Sequence, residues 1–298
     1  MGKLIRCITS EGAVMATCVD TTDIVAQAEK YHKTSAVVTA ALGRLLTAAS
    51  MMGNMLKSSD HTLTLRIMGE GKIGNLVAAS DFDGNVRGYV TNPIVEIPLN
   101  AKGKLDVGGA VGAGTLYVIK DLGMKDPYVG QIPLATGEIA EDITSYYAIS
   151  EQIPTICGLG VLVNPDLTVN VAGGFIIQLL PGYTDADIDK LEDSVKDLES
   201  VTKMLSDGKT PEEILRLALK NFEVEVLYEQ EISYKCKCSR ERTVEALMCV
   251  GTEDLEEMAN DTKDTEVCCH FCDKRYIFTP EDIKKIILKK LKKIEKKC

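Results

Sequence analysis

Ten cysteines occur in 298 residues, and seven of them lie between Cys236 and Cys298. Cys236-Lys-Cys238 is a C-x-C pair and Cys269-His-Phe-Cys272 a C-x-x-C pair, with 30 residues, 239–268, between them. A structural Zn²⁺ takes four soft ligands in a tetrahedron, each thiolate sulfur at ~2.3 Å. Two close pairs from two chain segments supply that set: Cys236, Cys238, Cys269 and Cys272. The intervening segment would close as a loop around the metal. Four thiolates on a divalent cation leave a site of charge about −2, electron-rich and therefore open to oxidation. Cys268 stands beside Cys269 and would give C-x-x-x-C with Cys272, so the ligand choice is open; spacing favours Cys269. Cys7, Cys18, Cys157 and Cys249 read as buried or neutral thiols, a common use of a small apolar side chain. Cys298 reads as a terminal, exposed thiol.

The residues alone leave a plain zinc ribbon, a redox-sensitive metal site, and a disulfide oxidoreductase. The oxidoreductase requires a low-pKa cysteine at a helix N-terminus and turnover with a thiol donor. The additional C-x-C pair argues for metal instead. Loss of such a metal removes on the order of 10 kcal/mol that is effectively folding energy in a small domain, so oxidation could become local unfolding. A zinc ribbon for nucleic acid wants basic flanks. Within 253–266, Glu253, Asp254, Glu256, Glu257, Asp261, Asp264 and Glu266 face only Lys263, which repels phosphate. The whole chain agrees, with 34 basic and 44 acidic residues, no Trp and few aromatics to stack bases.

Other motifs fail on context. Gly69-Glu-Gly-Lys-Ile-Gly74 matches G-x-G-x-x-G, but a hairpin signal follows where a dinucleotide site needs a helix. Gly208-Lys209-Thr210 has the tail of a phosphate loop, but Lys203 stands at its first glycine position, so no ATP site is read. His32, His61 and His270 are too scattered to argue a Cys-His pair from spacing.

The elements that must position these residues fall into an α+β arrangement of three parts. Residues 1–180 read as a mixed α/β core domain. Strands are expected at 4–9, 13–19, 63–67, 75–80, 86–90, 115–120, 158–163 and 167–179, with helices over 22–56 (two of them) and 137–152. Residues 181–232 read as a helical connector. Thr184 and Asp187 open a helix with Ile188, Leu191, Val195, Leu198, Val201 and Leu205 on one face, and Thr210-Pro211-Glu-Glu213 opens another. From Asp185 to Glu231 there are 14 acidic and 6 basic residues, so this segment alone carries −8. Residues 233–298 form the cysteine module. It ends in a lysine-rich helix begun at Thr279-Pro280, with Ile283, Ile287, Leu291 and Ile294 on one face. Such a helix can bind a membrane surface, but a solvated helix on an acidic body is the preferred reading. No secretory signal, myristoylation signal or bilayer-length apolar run is read, so the expected compartment is the cytoplasm.

With these residues in view, the chain resembles the heat shock protein 33 family of redox-regulated holdase chaperones. The two cysteine pairs and the following Tyr276-x-Phe278 match the family's zinc motif. Asn85-Val-Arg-Gly-Tyr-Val90, Gly114–Gly123, Tyr128-Val-Gly-Gln131, Gly137–Asp142 and Ser150–Pro154 also look like family sequence. The resemblance implies one Zn²⁺ on Cys236, Cys238, Cys269 and Cys272 in a folded, inactive, reduced state. It implies that oxidation joins Cys236 to Cys238 and Cys269 to Cys272, releases the metal and unfolds the switch. It further implies homodimerisation and ATP-independent binding of unfolding client proteins, with no catalysis. Cys249, Cys268 and the lysine-rich tail depart from the family pattern, and Cys268 puts the pairing in question.

Overall fold

The computed structural model describes residues 1–295, which form two compact units, Met1–Lys235 and Cys236 onward. The first unit opens with β1 (Gly2–Thr9) and β2 (Val14–Asp20), then α1 (Thr22–His32) and α2 (Ala36–Gly53). There follow β3 (Thr62–Gly69), β4 (Asn75–Asp81), β5 (Val86–Val90), α3 (Val107–Val111), β6 (Gly114–Asp121) and β7 (Tyr128–Pro133). Next come α4 (Ala140–Tyr146), running into a π-helical turn at Tyr147–Glu151, then β8 (Thr155–Val163) and β9 (Val169–Leu179). The unit closes with α5 (Asp185–Val195), α6 (Val201–Ser206), α7 (Pro211–Ala218) and β10 (Val224–Ile232). The fold class is α+β, with two five-stranded antiparallel sheets ordered β10-β1-β2-β9-β8 and β5-β4-β3-β6-β7.

The two sheets differ in how their faces are used. In β3, Leu63, Leu65 and Ile67 are fully buried while Thr64, Arg66 and Met68 are not, so one face meets the core. In β1 and β2 both faces are covered. Leu4 and Val19 join the main core, whereas Ile5, Cys7, Val14, Ala16 and Cys18 join a second core with Phe175, Ile177 and α5–α7. Helix α2 touches β2, β8 and β9 of one sheet and β3, β4 and β5 of the other, and is buried on almost every side. Its small residues allow that approach: a Cβ on Gly43 would stand 2.7 Å from Val25 and 2.9 Å from Val161. Among the described residues α2 alone is long and apolar enough to cross a membrane, and it is a core helix here. Gly69–Gly74 is the turn joining antiparallel β3 and β4, with Gly71 N and Ile73 N donating to the carbonyls of Val111 and Ala110, as turn glycines rather than a cofactor loop.

The 181–232 stretch departs from a wholly helical connector. Its expected long helix breaks after Val195, because Ser200 caps a new helix by accepting from Lys203 N. Thr184 with Asp187 and Thr210 with Glu213 form the expected capping boxes. After α7 the chain becomes strand β10, which pairs with β1 from Gly2↔Ile232 to Thr9↔Val224. Apolar residues of α5–α7 pack in the second core: Leu191, Val201, Met204, Leu205, Ile214 and Leu215 are buried.

The second unit contains α8 (Arg240–Leu247), α9 (Thr252–Asn260), β11 (Thr265–Cys268), β12 (Arg275–Phe278) and α10 (Pro280–Glu295). The expected loop between the cysteine pairs is thus mostly helical. Its core is small: Leu247, Leu255, Ala259, Tyr276, Phe278, Ile283 and Ile286. On α10, Ile283 and Ile286 are buried and Ile287 partly so, but Leu291 is exposed. The side chain of Ile294, and Cys298, lie outside the described residues.

Candidate metal centre

The first pair lies in irregular chain between β10 and α8, just before Ser239, whose hydroxyl caps α8 by accepting from Arg242 N. The second pair sits in the turn between β11 and β12. Cys269 N donates to Lys274 O at 2.9 Å, and Cys272 N and Asp273 N both donate to Cys269 O. Asp273 takes a left-handed conformation, φ 56°, to close this turn.

These two segments bring the sulfurs of Cys236, Cys238, Cys269 and Cys272 within 4.8 Å of one another. Cys236 Sγ lies 3.7 Å from Cys269 Sγ, and Cys238 Sγ lies 3.5 Å from Cys272 Sγ. A tetrahedron of thiolates at ~2.3 Å from a central ion has edges of about 3.8 Å. The four residues therefore fit a metal ion in number, donor type and spacing.

Strand alternation sets Cys268, the neighbour of Cys269, apart from the cluster. Val267 packs on the unit's core, and Cys268, one residue on, is exposed. Its thiol donates instead to Asp273 Oδ1 at 3.0 Å, and that bond pushes it up to about 11. His270 is exposed and stands outside the cluster.

Tyr276, matched above only as part of the family's zinc motif, makes a direct contact with the cluster. Tyr276 Oη donates to Cys238 Sγ at 3.1 Å. The alternation in Arg275-Tyr-Ile-Phe278 turns Tyr276 and Phe278 inward, and a buried tyrosine hydroxyl needs a partner. Burial opposes ionisation of Cys238, but bonds from Tyr276 and the neighbouring sulfurs outweigh it and bring the thiol down to about 7. Burial pushes Cys236 and Cys272 up. A C-x-x-C oxidoreductase places its reactive cysteine at a helix N-terminus. Here Cys269 and Cys272 lie in a hairpin turn.

The remaining cysteines are apart from this centre. Cys7 and Cys18 are buried and Cys157 is half-buried; burial pushes Cys7 up to about 11 and the other two further. Cys249, expected to be a buried or neutral thiol, is exposed, because the last turn of α8 carries it past the apolar residues Leu247 and Met248.

Geometry of this kind invites comparison with known proteins. The family model described as Hsp33 protein matches residues 2–279. The chain belongs to the Hsp33 family. It is 49% identical over 284 residues to the 33 kDa chaperonin of Lachnoclostridium phytofermentans, covering 95% of this chain and 97% of that one. It is 47% identical over 294 residues to the 33 kDa chaperonin of Clostridium perfringens, covering 98% and 93%. The crystal structure of the 33 kDa chaperonin from Thermotoga maritima superposes with a TM-score of 0.89 at 37% identity, over 97% of this chain and 99% of that one. The protein is therefore an Hsp33-family chaperone, and its convergent cysteine quartet fits a redox-regulated metal switch.

Proposed function

We propose that the chain is an ATP-independent holdase, held inactive while reduced and metal-bound and activated by oxidation of Cys236, Cys238, Cys269 and Cys272. The observation that carries this is the convergence of four sulfurs from two distant segments on one point. Zinc is the metal that an all-thiolate tetrahedron favours, and when bound it supplies a charge centre that keeps four thiolates together without taking part in redox chemistry.

The chain's own residues do the rest. Each thiolate pair gives up two electrons and forms one S–S bond, while the O–O bond of a peroxide or the O–Cl bond of hypochlorous acid breaks and, with protons from solvent, leaves water, or chloride and water. The pairing we propose is Cys236 with Cys238 and Cys269 with Cys272. Sulfurs locked in disulfides no longer offer thiolate donors, so the metal site ceases to exist. The second unit then loses on the order of 10 kcal/mol of apparent folding energy, which its small core cannot replace.

We further propose that residues 181–232 act as a connector that loosens with the switch. Its helices bury Leu191, Val201, Leu205, Ile214 and Leu215 against Ile5, Phe175 and Ile177. Release would bare both surfaces to unfolding client proteins, and the −8 charge would keep the complexes soluble. In this reading the oxidised chain is a homodimer, it works in the cytoplasm by binding rather than turnover, and it engages neither nucleic acid nor membrane.

The test is paired: metal released on hypochlorite treatment, and suppression of aggregation of a heat-denatured client before and after. Metal loss with activity appearing only after oxidation supports the switch. Retained metal, or activity indifferent to redox state, leaves a constitutive zinc-stapled interaction module.

A further inference from the structure

The first unit holds three thiols that the metal centre does not use, Cys7, Cys18 and Cys157, and two of them share one place. The register of β1 with β2 sets Cys7 opposite Ala16 and Ile5 opposite Cys18. Cys7 and Cys18 are therefore diagonal neighbours on one face of the sheet, the face that carries Ile5, Ala16, Phe175 and Ile177 into the second core. Both are fully buried. Cys157 lies on the other face of the sheet and packs against the main core.

The cover over Cys7 and Cys18 is the connector. Helix α7 packs on β1 and β2, and its Arg216 and Glu212 stand close enough to act on Cys7 through their charges. Helix α6 packs on β9 and β8, where a Cβ on Gly173 would stand 2.7 Å from Leu205. The large side chain nearest in register gives Cys18 little shelter. Phe175 is opposite Cys18, but its ring leans the other way, over Gly158 of β8, where a Cβ would stand 2.6 Å from Cζ. Burial pushes Cys7 up to about 11 from an ordinary 9.0 and Cys18 further. At neutral pH Cys7 then holds about a hundredth of the thiolate of a free cysteine, and thiolate is the reactive form.

We propose that Cys7 and Cys18 form a gated modification site for small disulfides, closed under α5–α7 and opened when the connector lifts, and that a group added there blocks the connector's return. The inference rests on the switch reading above. In the step, the deprotonated sulfur of Cys7 or Cys18 attacks one sulfur of the disulfide. A mixed S–S bond forms, the original S–S bond breaks, and the other half leaves as a thiolate that takes up the proton. Diagonal neighbours have Cα atoms ~7–8 Å apart, beyond the ~6.8 Å that a disulfide usually spans, so each thiol takes an outside partner rather than the other. The closed site has no exposed surface, and an added half-disulfide overfills it, so α7 cannot settle back on β1 and β2.

The probe is cystine. The zinc-loaded reduced chain, and the same chain after hydrogen peroxide and gel filtration, would be incubated with it, acid-quenched and mapped by peptide mass spectrometry without reductant. Metal content and aggregation suppression would be read on the same samples. Exposed Cys249 is the open reference and Cys157 the closed one. A thiol counts as open when it carries half a cystine or has itself been oxidised. In the resting chain Cys7 and Cys18 should react at least about a hundredfold more slowly than Cys249. After oxidation both should approach its rate while Cys157 stays closed. In a second arm the oxidised chain would be alkylated with N-ethylmaleimide, reduced and reloaded with zinc. The wild-type chain should go on suppressing aggregation, and Cys7→Ala/Cys18→Ala should return to the inactive state. Metal loss and new activity with Cys7 and Cys18 still closed would overturn the gate and leave the switch reading standing. Cys157 opening in step with them would overturn it as well, because the whole first unit would then have loosened. Retained metal would remove the switch reading and the gate with it. The same result for wild type and variant in the second arm would overturn the block on the connector.

Discussion

The substitution Tyr276→Phe isolates one atom of the cysteine site. The ring of Tyr276 is 7% exposed and packs in the second unit's core, so the substitution keeps the packing and removes only the hydroxyl that donates to Cys238 Sγ at 3.1 Å. A hydrogen bond to a charged acceptor contributes about 1.5–3 kcal/mol, which is roughly 10- to 150-fold in an equilibrium constant. Loss of a group that hydrogen-bonds a metal ligand typically costs about 10–100-fold in metal affinity. The expected result is zinc binding weaker by about 10- to 100-fold, measured by competition with a chromogenic chelator at neutral pH. The same bond favours the Cys238 thiolate. In the zinc-free reduced variant, ultraviolet thiolate absorbance should show that Cys238 titrates above its wild-type value of about 7. The sign follows from linkage. A depressed folded-state pKa gives stability that is present above the ordinary thiol value of ~8.5 and lost as pH falls through about 7. The variant would forfeit that contribution. An unchanged zinc affinity and unchanged titration in a folded variant would refute the assignment of this hydroxyl to the site.

Further outcomes separate the two units. Stripping the metal under reducing conditions should open residues 236–298 to limited proteolysis first and 181–232 after them, while a fragment close to 1–180 survives; equal digestion along the whole chain would contradict that order. Cys268→Ser should leave zinc stoichiometry unchanged and Cys269→Ser should abolish tight binding, both read by metal analysis after gel filtration. Asp142 is fully buried, and its carboxylate accepts from the backbone N–H groups of Ala135, Thr136, Gly137 and Ile139. Asp142→Asn should cost about 3 kcal/mol and lower the Tm of the first unit by about 6–12 °C in calorimetry. Charged substitutions at Leu191 and Val195 should impair aggregation suppression by the oxidised chain; intact activity would remove the connector from the client surface.

Much of this was legible in residue spacing. Leu63, Leu65 and Ile67 announced β3, and Asp83-Gly84-Asn85 announced the β4–β5 hairpin because Gly84 sits at φ 74°. The cysteine quartet was legible because metal chemistry restricts donor type and number more sharply than packing restricts a core. What escaped notice was structure held by context. Strand β10 is acidic and exposed along most of its length, so its apolar pattern is faint; pairing with β1 makes it a strand. Helices α8 and α9 arise in a polar stretch around Leu247, Leu255 and Ala259, too few apolar positions to give a strong period. Cys268 could be separated from Cys269 only once β11 fixed which side each faces.

The same features fit the proposed division of the chain into a stable part and a labile part. The first unit has two cores on either side of one sheet and a helix buried between two sheets, so losing any single contact leaves many others. Strand β10 is the exception within it. It is an edge strand, and of its residues only Ile232 is buried, so detaching it from β1 gives up backbone hydrogen bonds but little apolar area. Beyond it, Tyr234 is held at Gly88, with N–H and carbonyl both bonded to its hydroxyl, and Cys236 follows two residues later. In the proposed switch, unfolding that begins at the cysteines would meet this sparsely buried strand next. The helices behind that strand, which cover the second core, would in that switch be uncovered after it, while Ile232 and Tyr234 tie the strand's end to the main core.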